Sequence, residues 1–222
     1  MKLQVTGNVH NINLVTPEHV VPQVVLSILA ARDMGLRVPI IYNTSWFDSL
    51  ASLNLLNGLV DIYLPDFKVW KSSTSKRLLK ADGYTETAME SIKAMHEQVG
   101  DLSFTGDGIA KKGVLLRHLV MPGKEDEGRE IMRWLAGNVS RDLYVHVMEQ
   151  YHPDAHVGKK RRVSRKSTAG QEGKKDGEAD EVRYAEINRA VKDEELGSVR
   201  DAAAEAGLWR FCEVNENSAF HL

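Results

Sequence analysis

The chain has 222 residues, of which 42% are apolar, so it can fill one hydrophobic core but not two comfortable domains. Its formal net charge of −2 at pH 7 argues against a domain that binds nucleic acid, because such domains normally carry a clear basic excess. It has no run of about 18 apolar residues that would predict a membrane helix, and its start, MKLQVTGNVH, lacks the layout of a secretory signal, so a cytoplasmic protein is expected.

Short apolar runs that each end in a polar turn predict the strands of a sheet. They are Asn11–Val15, Val38–Tyr42, Leu59–Leu64, Val114–Val120 and Leu143–Met148. Such short, nearly continuous runs separated by amphipathic helices indicate right-handed crossovers and a parallel α/β sheet. In these sheets, ligands bind just past the carboxyl ends of the strands, so the polar turns mark the candidate site.

Helical patterns fill most of the gaps between the strands. Pro22 suits the first turn of a helix that ends at Met34 before Gly35, and Asp48 is expected to cap the next helix. Further helices are predicted where apolar residues recur at helical spacing: Leu50, Leu53 and Leu56; Met89, Ile92, Met95 and Val99; and Ile131, Trp134 and Leu135. Between Asp101 and Gly113, a small turn centred on Asp107 and Gly108 is expected.

The chain divides into three parts by composition. Residues 1–157 carry the strand and helix pattern, whereas residues 158–182 are charged and nearly free of large apolar side chains. This second part is predicted to be a disordered insertion, because it cannot offset its ordering entropy by burial. Residues 183–222 are predicted to be a C-terminal helical segment that packs on the first part.

The strand ends together resemble a known family. The strings NINLVTPEH, PIIYNTS, VDIYLPDFK, RHLVMPG and YAEIN with AGLWR resemble the later part of radical S-adenosylmethionine (SAM) proteins related to pyruvate formate-lyase activating enzymes. The resemblance implies a partial (β/α)6 TIM-like barrel of parallel strands that binds SAM and a [4Fe-4S] cluster. It also implies that the first βα unit, which carries the family's CxxxCxxC loop, is missing and that the chain is N-terminally truncated.

The cysteine content conflicts with the cluster chemistry that the resemblance implies, although not with the implied fold. Three thiolates are needed to hold such a cluster with one iron open for SAM, and this sequence has only Cys212. Cluster binding is therefore not supported, and no catalytic or metal-ligating residue is assigned. Two functions remain open: a radical SAM enzyme, of the activating type, that is not catalytically competent as this chain, and a non-catalytic remnant that keeps a nucleoside- or protein-binding surface.

The resemblance also implies which strand-end residues contact SAM, and most have a plain structural alternative. Thr16 and Glu18 would lie near the methionine amino group, although Thr16 also suits a helix cap. Asp66 and Lys68 would meet the ribose and carboxylate region or else form a buried salt bridge. The remaining cofactor-binding candidates are Asn43 and Thr44, which are also common turn formers, Arg117, and His152 near the adenine.

Side-chain alternation limits the candidates on the strand before LVMPG. Successive residues of a strand point to opposite faces, so only one of Arg117 and His118 can serve the site. The histidines His10, His19, His118, His146 and His152 lie near predicted strand ends but on both rims of the sheet, which argues against one shared metal site.

Partners follow from the resemblance and from two local features. The resemblance implies a glycyl-radical-type protein substrate, and no membrane partner is expected. The basic block Lys159–Lys166 is typical of either a nuclear localisation signal or a solvated charge run. A bare edge at Asn11–Val15 would invite self-association through strand pairing.

Overall fold

A parallel sheet organises the molecule in the computed structural model, which describes residues 1–45, 47–160 and 182–212. The described strands are β1 Ile12–Val15, β2 Ile40–Thr44, β3 Ile62–Pro65, β4 Ser103–Phe104, β5 Ala110–Leu119, β6 Tyr144–Met148 and β7 Arg210–Phe211. The described α-helices are α1 Lys2–Val5, α2 Val21–Asp33, α3 Leu50–Leu56, α4 Ser72–Thr74, α5 Tyr84–Val99, α6 Glu125–Asn138 and α7 Asp193–Glu205.

The strand order is β1-β2-β3-β5-β6-β7, and all of these neighbours pair in parallel. The short β4 pairs antiparallel with β5. The predicted α/β class with a parallel sheet is therefore confirmed. Within the described residues, β1 and β7 are the two ends of this order, and each pairs on one side.

The two faces of the sheet bury different amounts of apolar surface. Ile40, Tyr42 and Tyr63 point to the helix side and belong to the larger core cluster. Ile41 and Ile62 point to the opposite side, here called the inner side, where a smaller apolar cluster forms. Because each fully buried side chain of this size contributes about 1.5–3 kcal/mol, the helix side dominates the stability of the fold.

A β-hairpin fills the inner side near the start of β5. Leu102 and Phe104 extend the smaller apolar cluster, and the expected turn at Asp107 and Gly108 is the loop of this hairpin. Gly113 allows the backbone of Asp101 to lie close against β5. Its φ is +128°, and a Cβ there would lie 2.5 Å from the carbonyl oxygen of Asp101. Only glycine fits such a position.

The start of α3 differs from the prediction. Asp48 does not cap this helix, because the Oγ of Ser49 accepts the hydrogen bond from the Ser52 N–H at 3.1 Å. Asp48 is buried instead and accepts hydrogen bonds from the Tyr42 hydroxyl at 2.7 Å and the Thr44 hydroxyl at 2.5 Å. Burial raises the pKa of Asp48, against the lowering effect of these two hydrogen bonds.

The C-terminal part packs on the outside of the sheet. Helix α7 lies against α6, Leu208 is buried, and β7 then adds a strand beside β6. A salt bridge from Arg77 to Glu186, with Nε and Oε1 2.6 Å apart, ties the residues before α7 to the segment that follows α4.

Most of the predicted insertion and of the basic block Lys159–Lys166 lies outside the described residues. The flanking residues meet, because Lys160 forms an antiparallel bridge with Val182. The Gly158 N–H donates to the Arg183 carbonyl at 2.9 Å, and the Arg183 N–H donates to the Lys159 carbonyl at 3.0 Å.

Candidate functional site

A row of polar side chains crosses the inner face at the carboxyl ends of three neighbouring strands. Asp66, just past β3, is in register with Arg117 of β5, which in turn is in register with His146 of β6. Residues in register on parallel strands point to the same face. The register therefore places the Asp66 carboxylate, the Arg117 guanidinium and the His146 imidazole side by side.

Ion pairs hold the centre of this row together. The Arg117 Nη2 lies 2.7 Å from Asp66 Oδ1, and the Lys68 Nζ lies 3.1 Å from Asp66 Oδ2. The same Arg117 nitrogen donates a hydrogen bond to the Asn43 Oδ1 at 2.9 Å. The Asp66 side chain is only 9% exposed, while those of Lys68 and Arg117 are each 25% exposed. Two cations thus share one carboxylate in a partly buried site.

Several buried polar atoms at this end of the sheet have no hydrogen-bond partner. Among the described residues, such atoms are Glu18 Oε2, Asp66 Oδ1, Arg117 Nε and Glu125 Oε2. The contact between Asp66 Oδ1 and Arg117 is close enough for an ion pair but is not aligned as a hydrogen bond. Leaving a buried polar group without a hydrogen bond costs about 1–3 kcal/mol, so these atoms at one end of the sheet mark a place where a ligand can supply the missing partners.

Glu18 adds a second carboxylate next to the end of β2. Its Oε1 accepts hydrogen bonds from the Ser45 N–H at 2.7 Å and from the Ser45 hydroxyl at 2.6 Å. Burial acts to raise the pKa of Glu18, but the hydrogen bonds from Ser45 and from its own backbone outweigh burial, and the pKa is lowered. Glu18 is therefore an anion at neutral pH.

Thr16 closes β1 with an unfavourable backbone. Its N–H donates to the Asn43 carbonyl at 2.8 Å and so continues the ladder between β1 and β2. Its φ is +50°, in the left-handed region. A β-branched residue is a genuine outlier there, and such strain is concentrated at functional sites.

Two of the sequence candidates lie away from this row. Thr44 is fully buried on the helix side of the sheet, where it donates to Asp48 and where its hydroxyl also helps to lower the pKa of Glu18. His152 is exposed in the segment that follows β6. The structure therefore brings together Asn43, Asp66, Lys68 and Arg117, with Thr16 and Glu18 at the same end of the sheet.

The two histidines on β5 and β6 have different surroundings. His118 is buried on the helix side with its Nδ1 2.6 Å from the Phe67 carbonyl oxygen, and burial lowers its pKa. His146, which the sequence did not single out for this site, is next to Arg117; burial and then the charges of Arg117 and Arg200 lower its pKa. Arg117 is thus the residue of the Arg117 and His118 pair that faces the row.

The residues present do not fit an iron-sulfur cluster. Cys212 packs against the inner apolar cluster, its N–H donates to the Val145 carbonyl at 2.9 Å, and burial raises its pKa. In the described ranges, no group of three or more His, Cys, Asp or Glu side chains is placed to hold a metal ion. A thiol with a raised pKa is a poor source of the thiolate that iron requires.

The donor set does fit the polar part of SAM. Arg117 and Lys68 offer cations to a carboxylate, and Arg117 keeps a buried N–H unpaired. Glu18 Oε2 and Asp66 Oδ1 accept no hydrogen bond, although Asp66 Oδ1 is ion-paired with Arg117, so each can accept one from an ammonium group or a hydroxyl. The amino acid and ribose groups of SAM carry both kinds of partner.

Sequence comparison gives one partial relative. No protein-family model matches the chain. An uncharacterized protein of Methanocaldococcus jannaschii is 31% identical over 118 residues, which is 53% of this chain and 30% of that protein. The matched part thus spans less than a third of the relative's length.

Structural comparison identifies the fold. A crystal structure of a domain of pyruvate-formate lyase-activating enzyme from Bacteroides vulgatus superposes with a TM-score of 0.57 at 9% sequence identity, covering 91% of this chain and 96% of that domain. No helix within the described ranges is long and apolar enough to cross a membrane. At 9% sequence identity the likeness to the Bacteroides vulgatus domain is one of fold: the chain shares the parallel α/β fold of that activating-enzyme domain.

Proposed function

We propose that the chain is a radical SAM-like α/β domain that binds SAM at the carboxyl ends of β2, β3 and β5 and does not generate radicals with its own residues. The observation that carries the proposal is the set of unpaired buried atoms at this end: Arg117 Nε as donor, and Asp66 Oδ1 and Glu18 Oε2 as acceptors. A neutral apolar ligand would leave all of them unpaired. A ligand with both a carboxylate and an ammonium group would not.

The charges suggest how the ligand is oriented. Lys68 and Arg117 outnumber Asp66 in the central cluster, so the cluster keeps one positive charge for the ligand carboxylate. Glu18, held as an anion by Ser45, would accept the ammonium group. The Asp66 oxygen would accept from a ribose hydroxyl, in keeping with the SAM-contacting strand end that PDFK resembles.

When a reduced [4Fe-4S] cluster is present, SAM supplies a 5′-deoxyadenosyl radical in the family that the sequence resembles. The 222 residues contain one cysteine, so three cluster thiolates would have to come from another polypeptide segment. The residues described above bind and orient the ligand, and no redox step is assigned to them.

Calorimetric titration with SAM tests the binding proposal. We expect Lys68→Met to weaken SAM binding about tenfold, which corresponds to about 1.4 kcal/mol, because the substitution keeps the apolar stem and removes the charge. Arg133→Met is the matched control: Arg133 is half-exposed on α6 and pairs with Glu130. Equal affinity for the two variants, with both folded by circular dichroism, would contradict the proposed site.

Titration with fragments of SAM separates its groups. Methionine is expected to bind to the wild-type chain and to lose affinity in Lys68→Met, because it carries the carboxylate and ammonium groups. Binding of 5′-deoxyadenosine should be unaffected by Lys68→Met. If only the nucleoside binds, the site is a nucleoside site, and the assignment of Lys68 and Arg117 to a carboxylate is wrong.

A second candidate function is favoured by the fold shared with the activating-enzyme domain. In it, the chain contributes its barrel to an activating-type enzyme that acts on a glycyl-radical-type protein, with the cluster held elsewhere. Anaerobic reconstitution of this chain with iron and sulfide tests the premise that the two candidates share. Both predict no stoichiometric cluster absorbance and no 5′-deoxyadenosine from SAM for this chain alone, and a stoichiometric cluster would contradict both.

A further inference from the structure

The loop that follows β3, residues 66–71, is fixed through its backbone. Loops usually lie on the surface and move more than the elements they connect. In this loop, the Phe67 N–H donates to the Arg117 carbonyl at 2.9 Å, and the Phe67 carbonyl oxygen lies 2.6 Å from the His118 Nδ1. Burial lowers the pKa of His118, so the ring is neutral at pH 7 and its Nδ1–H donates to this carbonyl. Strand β5 therefore holds both backbone groups of Phe67.

Tyr84, at the start of α5, holds the next two residues of the loop. Its hydroxyl accepts hydrogen bonds from the backbone N–H groups of Lys68 and Val69. The Tyr84 side chain is fully buried. Burial raises its pKa, so the hydroxyl stays protonated at neutral pH. One neutral hydroxyl thus holds the backbone on both sides of the Lys68 Cα.

Thr85 and Glu127 hold the end of the loop. The Thr85 hydroxyl donates to the Trp70 carbonyl at 2.7 Å. The Glu127 carboxylate of α6 accepts from the N–H groups of Trp70 and Lys71. Both side chains are buried, and a buried polar group costs free energy unless it is hydrogen-bonded. This concentration of buried polar groups around one loop indicates that its conformation is specified closely, as in the supporting groups of binding sites.

Alternation along the loop directs Lys68 toward the candidate site. Phe67 and Val69 are fully buried in the larger core cluster. Asp66 and Lys68 point the other way and pair, with Oδ2 and Nζ 3.1 Å apart. Since the Tyr84 hydroxyl binds the N–H groups on both sides of the Lys68 Cα, it fixes the direction in which the Lys68 side chain leaves the backbone.

We propose that Tyr84 is a positioning residue for the ligand carboxylate at Lys68. This inference rests on the proposed SAM site and deepens it. The Tyr84 hydroxyl holds the backbone, and the held backbone presents the Lys68 ammonium to the ligand. Tyr84 itself does not touch the ligand, because it is buried on the core side of the loop. A charge on a fixed backbone loses less conformational freedom on binding, and such preorganisation raises affinity.

Tyr84→Phe tests the role by removing only the hydroxyl. The matched control is Tyr63→Phe: Tyr63 is equally buried, and its hydroxyl donates to Gln98 Oε1 at 2.7 Å. Gln98 lies near the far end of α5, about 21 Å along the helix from Tyr84. In calorimetric titration, SAM and methionine should bind about fivefold more weakly to Tyr84→Phe and with wild-type affinity to Tyr63→Phe. Binding of 5′-deoxyadenosine, which has no carboxylate, should be the same in both.

A double-mutant cycle tests whether Tyr84 acts through Lys68. In a chain that carries Lys68→Met, adding Tyr84→Phe should cause no further loss of SAM affinity, because the charge that the hydroxyl positions is gone. Losses that simply add would show that the hydroxyl affects binding by another route. That result would overturn the proposal.

Amide hydrogen exchange tests the backbone contact without any ligand. The amides of Lys68 and Val69 should exchange about tenfold faster in Tyr84→Phe than in Tyr63→Phe, a comparison that removes the general effect of losing a buried hydroxyl. Equal exchange in the two variants, or equal SAM affinity, would overturn the positioning role while leaving the SAM site in place. A wild-type chain that binds neither SAM nor methionine would instead overturn the proposed function, and the positioning role with it.

Discussion

Buried carboxylates occur in two regions of the molecule and differ in how completely they are paired. On the helix side, Glu127 accepts hydrogen bonds from the Trp70 N–H at 2.9 Å, the Lys71 N–H at 2.8 Å and the Thr74 hydroxyl at 2.6 Å. At the strand ends, Asp66 and Glu18 each keep one oxygen without a hydrogen bond.

Glu195 repeats the helix-side pattern. Its oxygens accept hydrogen bonds from the Arg189 guanidinium at 2.5 and 2.8 Å, from the Gly123 N–H at 2.7 Å and from the Lys192 N–H at 2.9 Å. A fully paired carboxylate fixes one loop to another, and its removal leaves several donors unpaired. An incompletely paired carboxylate contributes less to the fold and remains available to a ligand.

The largest effect is expected at Glu127. We expect Glu127→Ala to lower the free energy of unfolding by about 3 kcal/mol, because two backbone N–H groups and a hydroxyl lose their buried acceptor. Urea unfolding measures this change. Glu130→Ala, on the exposed side of the same helix, should cost about 0.5 kcal/mol or less; equal losses for the two variants would remove the distinction between buried and surface carboxylates.

Glu195 should give the fold a pH dependence. The hydrogen bond from Arg189, opposed by burial and aided by the Lys192 and Gly123 N–H groups, lowers the pKa of Glu195 from 4.5 to about 2. A carboxyl with a lowered pKa in the folded state stabilises the fold above its unfolded pKa, and this stabilisation is lost as the pH falls through the folded value. The unfolding free energy should therefore decrease between pH 4.5 and pH 2.

The matching variant is Glu195→Gln, which should lower the unfolding free energy at pH 7 by about 2 kcal/mol and reduce the pH dependence over that range. Glu194→Gln is the control, since Glu194 is exposed in the same turn. A pH dependence that survives unchanged in Glu195→Gln would show that another carboxyl is responsible.

The same substitution should act differently at Glu18. We expect Glu18→Gln to change the unfolding free energy by about 1 kcal/mol or less, because the amide oxygen can still accept from Ser45. SAM affinity should fall about tenfold, since the ammonium partner loses its charge. Unfolding and calorimetric titration measure the two effects separately, and a large stability loss with unchanged affinity would place Glu18 with the structural carboxylates.

The smallest effect, and the only one of these that raises the free energy of unfolding, is expected at Thr16. Thr16→Gly should raise the unfolding free energy by about 1 kcal/mol, because glycine relieves the left-handed backbone. Thr6→Gly is the control: Thr6 has a φ of −100°, so glycine should destabilise there. If both variants are destabilised, Thr16 is not strained.

Local sequence patterns predicted most of the sheet but missed two strands. Runs such as Val38–Tyr42 are recognisable as strands by their length and apolar content. Strand β2 extends past the predicted end, because Asn43 still pairs with Val15. Strands β4 and β7 have two residues each, too few to show any alternation. They form because the longer β5 and β6 offer them open edges.

The positions of most candidate residues at strand ends were predictable, but their contacts were not. Asp66 and Arg117 follow recognisable strands, yet their ion pair depends on the register between β3 and β5, which the sequence does not reveal. His146 lies in mid-strand, where only its register with Arg117 brings it to the site. Asp48 looked like a helix cap because aspartate often is one, whereas burial beside Tyr42 depends on how α3 packs on the sheet.

The pairing of Lys160 with Val182 bears on how the chain can be rearranged. The residues flanking this pair are joined by backbone hydrogen bonds. A change in the length of the segment that connects Lys160 to Val182 therefore need not move any strand of the sheet. Doubling the length of a closed loop costs only about 0.6 kcal/mol. This position is therefore a natural place to graft a foreign domain, or to open new chain ends in a circular permutant.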